Sequence, residues 1–278
     1  MVEVKLETRR GVIQLNKNVY RKLAQKLDAI PSGFAETESG IQLKLLAKIY
    51  TPEEAALASQ MRLTPEDSEQ ISQRTKQEAV ATKTMLENMA QKGLIRSVGK
   101  GEERKFCLMP FIVGIYEAQM DRMDEELACL FEKYYKSFAE KVLSQSPALH
   151  KVIPVEKSIP VEVQVFPFEQ ASILLDKAKS FGVLKCICKV QKSLIGEPCK
   201  YPEEVCLVFS SAEDAFKDDT TIRILTKEEA LQILKETEEA GLIHSSTNIQ
   251  KDIFTYATVA HVAVESYEAC PNSALRTL

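Results

Sequence analysis

Four of the seven cysteines fall within 21 residues, as Cys186-x-Cys188, ten residues, Cys199, six residues and Cys206. Free cysteine packs as a small hydrophobe, but this stretch is flanked by Lys185, Lys189, Lys192 and Lys200 and broken by Gly196, Pro198 and Pro202, which makes a poor apolar core. Cys107, Cys129 and Cys270 are isolated and the total is odd. Met1 to Arg10 carries charge with no apolar core behind it, so no signal peptide is read. No apolar run approaches the roughly 20 residues that span a bilayer. The expected compartment is the cytoplasm, with no membrane partner, and there a tight cysteine cluster reads as metal ligation before disulfides.

Cubane iron–sulfur clusters are held by four thiolates, often drawn from a short segment. Zinc also takes four cysteines. Zinc–sulfur bonds of about 2.3 Å in a tetrahedron put neighbouring sulfurs roughly 4 Å apart, whereas alternate residues of an extended chain lie roughly 6–7 Å apart on one face. On that basis Cys186-x-Cys188 suits two separate iron corners better than one zinc ion. The glycine and prolines are expected to keep the intervening loop irregular, leaving backbone N–H groups to point at sulfur and help set a cluster's potential. The four lysines read either as counter-charges to an anionic cluster or as a solvated face.

The fold class expected is α+β and mainly helical. Residues 1–30 form an N-terminal helix and lead-in, with Val19, Leu23 and Leu27 on one face of a helix over 17–29. Residues 31–110 read as a winged-helix-like domain. Ile41, Leu45, Leu46 and Ile49 make a helical stripe, and Thr51-Pro52-Glu53-Glu54 and Thr64-Pro65-Glu66-Asp67 each look like a helix start. A third helix over about 76–92, with Val80, Met85, Leu86 and Met89 apolar, stops at Gly93. Strands over 94–98 and 105–109 flank a turn at Gly99-Lys100-Gly101. Residues 111–150 form a helical connector, helical over 111–145. The domain boundary is expected over 146–160, which holds three prolines. Residues 151–254 form the small mixed cysteine-rich domain. A strand is expected over 161–165, a helix from Pro167 closed by Phe181-Gly182, and a helix from the capping box Thr226-Lys227-Glu228-Glu229 to Gly241.

Cys186-Ile187-Cys188-Lys189, Gly196-Glu197-Pro198-Cys199 and Pro202-Glu203-Glu204-Val205-Cys206-Leu207-Val208-Phe209 together resemble a family of 4Fe–4S ferredoxin-type proteins of anaerobic bacteria and archaea that carry an N-terminal winged-helix-like region. Ile30 to Gly40, Pro110 to Glu117 and Glu239 to His244 are similar to the same family, so the likeness covers about residues 19–254. The resemblance implies an iron–sulfur domain, a 4Fe–4S cluster on Cys186, Cys188, Cys199 and Cys206, and electron transfer with a redox protein partner; it identifies no reaction. Two alternatives stand beside it: a redox- or oxygen-sensing winged-helix regulator that binds DNA, and a zinc-stabilised interaction module.

Little else in the chain competes. His150, His244 and His261 are scattered and read as surface or core residues. Walker, Rossmann and G-x-S-x-G motifs and catalytic dyads are not found, so an electron carrier is preferred to an enzyme. The net charge of −4 draws the whole molecule towards neither nucleic acid nor anionic lipid. Residues 64–105 hold eight Lys or Arg against seven acids, a weak basis for phosphate neutralisation, so protein docking is preferred to DNA there.

After Phe254 the likeness stops. The family continues with a second cysteine-rich block, where this chain runs Thr255-Tyr256-Ala257-Thr258-Val259-Ala260-His261-Val262-Ala263-Val264. Cysteine codons read one base late give Val or Ala, and residues 255–278 are therefore expected to be an aberrant, frame-shifted tail without a second cluster site. The rival reading is a genuine short Ala/Val strand. The gene is expected to show a single-base insertion or deletion near codon 254; an intact frame without cysteine codons in the shifted reading ends the idea.

Overall fold

Tyr20, Leu23, Ala24 and Leu27 recur at helical spacing and are all buried, so the first helix, α1 over 18–28, turns one face inward. The computed structural model describes residues 18–30, 33–99, 101–143, 150–153, 175–176, 178–217, 221–239, 242–247 and 260–263. Helices combine with one two-stranded and two three-stranded antiparallel sheets among these residues, an α+β protein. The chain divides into two compact units, Met1–Lys141 and Val142–Leu278.

In the first unit, α2 (Ile41–Ile49) buries Leu45, Leu46 and Ile49, the stripe that the sequence shows. α3 (Pro52–Ala58) opens with a full capping box. The Glu54 N–H donates to Thr51 Oγ1 at 3.3 Å, and the Thr51 N–H donates to Glu54 Oε2 at 2.9 Å. The buried Glu54 carboxylate also receives Lys92 Nζ at 2.7 Å, which ties α3 to the far end of the third helix.

The second helix start falls three residues later than Thr64. Glu66 is already engaged: its backbone exchanges hydrogen bonds with Phe106 at 3.0 and 2.7 Å, and its carboxylate takes Arg74 Nη2 at 2.6 Å. The cap is instead Asp67, whose Oδ1 accepts the Gln70 N–H at 2.8 Å, and α4 runs Ser68–Thr75. α5 (Ala79–Gln91) buries Leu86 and Met89, but Val80, expected on the apolar stripe, is 72% exposed. It lies in the first turn, where its N–H is held by the capping Glu78. β1 (Arg96–Val98) and β2 (Lys105–Cys107) form the hairpin with Ser97 opposite Phe106.

The continuous helix expected over 111–145 is broken. Phe111–Ile115 makes one wide π turn, Glu117–Arg122 makes two tight 3-10 turns, and α6 (Glu125–Leu143) begins anew. Packing explains the interruption. Phe111, Ile115 and Tyr116 are buried, with the Tyr116 and Phe131 rings stacked at 3.7 Å. Gln119 Nε2 donates to the carbonyls of Lys92 and Gly93 at 3.3 Å, satisfying the end of α5. Asp124 then restarts the helix by accepting the Leu127 N–H at 2.8 Å while pairing with Lys48.

In the second unit, β3 (His150–Ile153), β7 (Leu242–Thr247) and β8 (Ala260–Ala263) form one sheet in the order β3-β7-β8. β4 (Ser180–Lys185), β5 (Glu204–Ser210) and β6 (Arg223–Leu225) form the other, in the order β5-β4-β6. Phe181-Gly182 does not close a helix; both residues belong to the central strand. A Cβ on Gly182 would lie 2.3 Å from Ile222 Cγ2, so the strand admits only glycine there. Phe181, Val183, Leu207, Phe209 and Leu225 pack on Ala230 and Leu234 of α8 (Lys227–Glu239). Its Thr226–Glu229 capping box forms as expected, at 2.7 and 3.2 Å. Between β4 and β5 lies α7 (Ile187–Leu194). The strand expected over 161–165 and the start of the helix from Pro167 lie outside the described residues, as do Cys270 and all of the tail except β8.

Gly40 and Gly93 share a left-handed backbone, φ +66° and +67°, but a Cβ meets nothing at Gly40 and lies 2.5 Å from Ala118 Cβ at Gly93. Gly93→Ala is therefore expected to cost about 3 kcal/mol and Gly40→Ala about 1 kcal/mol. Thermal unfolding followed by circular dichroism checks the order.

Candidate functional site

The cysteine site is assembled by the pairing of β4 with β5. Leu184 stands opposite Cys206, and the register shifts between Leu184 and Lys185. Immediately beyond this irregularity the Cys186 N–H donates to the Glu203 carbonyl at 2.8 Å. The residue that ends one strand is thereby fixed beside the start of the next, and Cys186 and Cys206, 20 positions apart, become neighbours.

At Cys186 the chain turns into α7, with Cys186 as its N-cap at φ −73°, ψ 111° and its carbonyl accepting the Lys189 and Val190 N–H groups at 3.0 and 3.1 Å. Cys188 is the second residue of the helix. The expectation of an extended Cys186-x-Cys188 is thus corrected. The bend at the N-cap brings the Cys188 thiol within hydrogen-bonding reach of Cys186, closer than two residues on one face of a strand. The intervening segment, expected to be irregular, is likewise helical over its first six residues, 189–194. Its end is closed by Gly196 in the left-handed conformation, φ +79°, with the Glu197 N–H donating to the Lys192 carbonyl at 2.9 Å. Pro198 and Cys199 follow in irregular chain, and Cys199 is half-buried.

The electrostatics favour a thiolate at Cys186. Hydrogen bonds from Cys188 and Cys206 hold its thiol well below the ordinary value of 9.0, and they outweigh desolvation, which acts in the opposite direction. The Lys189 N–H and the Lys189 charge add to the lowering. The helix N-terminus is a further favourable setting for negative charge, by about 0.3–1 kcal/mol. Cys107, by contrast, is buried beside β1, and desolvation pushes its thiol up.

The lysines divide into two kinds. Lys185 and Lys200 are exposed, and Lys185 lies 3.8 Å from Glu203. Lys189 and Lys192 are each only 4% exposed. Lys192 Nζ is neutralised by Glu197 at 2.6 Å. Lys189 Nζ lies over the Tyr201 ring, 5.3 Å from its centroid, and has no hydrogen-bond partner among the described residues. That ring also receives Lys200 Nζ at 5.1 Å, so the loop that carries Cys199 is tied to the helix that carries Cys188.

The structure therefore brings together Cys186, Cys188 and Cys206, and sets Cys199 on a loop joined to them through Lys189 and Tyr201. No three or more His, Cys, Asp or Glu side chains among the described residues are already shaped around a single ion. The donor set nevertheless suits a soft, cationic metal centre that leaves an anionic assembly with its thiolates: sulfur ligands, a favoured thiolate and an orphaned buried ammonium. Cys129 is half-buried on α6 in the other unit. Two features escape a reading of the sequence. Lys189 and Tyr201 are separated by 12 positions, and only the helix between them makes them partners. His244 and His261 are opposite one another on β7 and β8, a pairing that no local spacing announces.

Comparison with protein-family models, with curated proteins and with solved structures finds no match to this chain.

A group whose folded pKa is depressed gives stability that is complete above its unfolded value and is lost as pH falls through the folded value. The reduced, metal-free protein is therefore expected to become more stable as pH rises towards 9.0, the ordinary thiol value. Cys186→Ala is expected to flatten that rise, whereas Cys129→Ala leaves it in place. Urea midpoints measured across the pH range check both.

Proposed function

We propose that Cys186, Cys188, Cys199 and Cys206 hold one 4Fe–4S cluster and that the protein is an electron-transfer protein. The observation that carries this reading is the convergence of Cys186, Cys188 and Cys206 beside a buried, unneutralised Lys189. A cubane bound by four thiolates supplies one-electron chemistry, with a potential governed by net charge, hydrogen bonds to sulfur and exposure. The chain's own residues would bind the irons through the four sulfurs, present a helix N-terminus to the negative charge, and ease the loss of the Cys186 proton that ligation requires.

The first unit supports a winged-helix-like reading. The order α3, the Glu66–Phe106 bridge, α4, α5 and the β1–β2 hairpin is that of a helix pair followed by a wing. We propose that this unit docks a redox protein partner. The wing offers Arg104 and Lys105 beside Glu103, which gives a mixed charge better suited to protein than to DNA; a redox-sensing, DNA-binding regulator remains the alternative. The described cysteines form no disulfide, and the described residues contain no helix long and apolar enough to cross a membrane. A thiol-ligated centre fits a reducing compartment, and we propose the cytoplasm.

One observation favours zinc as a second reading. The close approach of the Cys186, Cys188 and Cys206 thiols is nearer to the roughly 4 Å sulfur spacing of a tetrahedral zinc site than to separate iron corners. In that case the protein is a zinc-stabilised interaction module.

Anaerobic purification and reconstitution separate the two. The expected result is a brown protein with roughly four iron and four sulfide per chain, whose visible absorption bleaches with dithionite. Cys199→Ser and Cys206→Ser are expected to abolish the colour, and Cys129→Ser to leave it. A colourless protein with about one zinc per chain overturns the iron–sulfur reading in favour of the module.

A further inference from the structure

We propose that Lys189 is the positioning counter-cation of the cysteine site: its buried ammonium, held over Tyr201, sets the electrostatic potential at the sulfurs and so raises the midpoint potential of the centre they bind. The proposal rests on the reading of the four cysteines as an iron–sulfur site, and it deepens that reading by naming the residue that tunes it.

Burial is the first reason. A lysine loses favourable hydration when it is taken out of water, and buried charges are ordinarily paired or hydrogen-bonded. Lys189 is 4% exposed and Nζ has no hydrogen-bond partner among the described residues. Lys192, three positions on in the same helix and equally buried, has found Glu197. The contrast shows that a buried lysine of this helix can find a carboxylate just beyond its end, whereas Lys189 has found none among the described residues.

Position is the second reason. Lys189 follows Cys188 directly, and its N–H donates to the Cys186 carbonyl at 3.0 Å, so it stands in the first turn of the helix that Cys186 caps. The Tyr201 ring lies 5.3 Å from Nζ, which offers its electron-rich face as a partial substitute for water. The same ring faces Lys200, 5.1 Å away. Two ammonium groups on one ring repel each other, and an anionic assembly of thiolates and iron would offset that repulsion. A fixed positive charge in a poorly hydrated setting favours the more negative of two oxidation states, which is the reduced one. Lys185 and Lys200, being exposed, are screened by water and salt and contribute less.

The test compares the full chain with Lys189→Met, Lys189→Arg and, as an exposed control, Lys185→Met. Iron and sulfide content is measured first, because it decides the underlying reading independently of Lys189. The potential of the loaded protein is then titrated, and the rate of Cys186 alkylation by iodoacetamide is measured on the reduced, metal-free protein. With Lys189→Met the midpoint is expected to move to a more negative value and alkylation at neutral pH to slow severalfold. Lys189→Arg is expected to restore both towards the parent, and Lys185→Met to change neither appreciably. A Lys189→Met protein that holds its iron with the parent's midpoint and alkylation rate overturns the proposal. So does a Lys185→Met change as large as that of Lys189→Met. If Lys189→Met does not fold, Lys189→Gln, which keeps length and can hydrogen-bond, takes its place under the same criteria. A colourless, zinc-bound parent overturns the redox role together with the iron–sulfur reading on which it rests.

Discussion

One backbone hydrogen bond organises the second unit. The Cys186 N–H reaches the Glu203 carbonyl just where the β4–β5 register shifts, and it joins the two ends of the cysteine segment before any side chain takes part. Strand pairing alone would set Leu184 against Cys206 and let the chain run on. The shifted register with the following turn makes Cys186 a helix cap instead, and puts Cys188 one short step into α7. Every property of the site follows from that junction: the clustered thiols, the depressed Cys186 ionisation and the inward placement of Lys189.

The first unit uses two carboxylates in a comparable way. Glu54 completes the cap of α3 and receives Lys92, so a local motif also binds the end of α5. Glu66 fastens its strand residue to the hairpin through Phe106 and its side chain to α4 through Arg74. Exposed ion pairs contribute little, but these carboxylates are buried, and removing either would leave cationic and backbone partners without a counterpart. They hold helices and hairpin in one arrangement that no contiguous stretch of sequence encodes.

Much of this was legible in advance where the signal was local. The Thr51–Glu54 and Thr226–Glu229 caps, the stripe of Leu45, Leu46 and Ile49, and the Gly93 stop all depend on residues within a few positions of one another. Structure departs from local preference where a distant partner overrides it. Glu66 was claimed by Phe106, so the cap moved to Asp67. Phe111 and Tyr116 were drawn into an aromatic core with Phe131, so a helix that composition favours was interrupted. Gly182 looked like a helix stop because glycine usually is one, whereas here Ile222 requires it inside a strand. At the site itself, the cysteine spacing was visible, but the bend at Cys186 and the division of the lysines into buried and exposed were not. Both depend on how β5 returns alongside β4.

α7 closes on itself. Its far end is finished by Gly196 and the Glu197-to-Lys192 backbone bond, and its first turn is held by the Cys186 carbonyl, which accepts from Lys189 and Val190, so the helix forms without a metal. The receptacle can therefore be built before it is filled, and loading becomes a delivery step with its own timing, separate from the birth of the fold. The corollary is an interval of exposure. Between folding and delivery a thiol whose pKa is lowered stands ready with two others beside it, open to oxidants as well as to the intended cargo, and the cell that makes this protein has reason to keep that interval short.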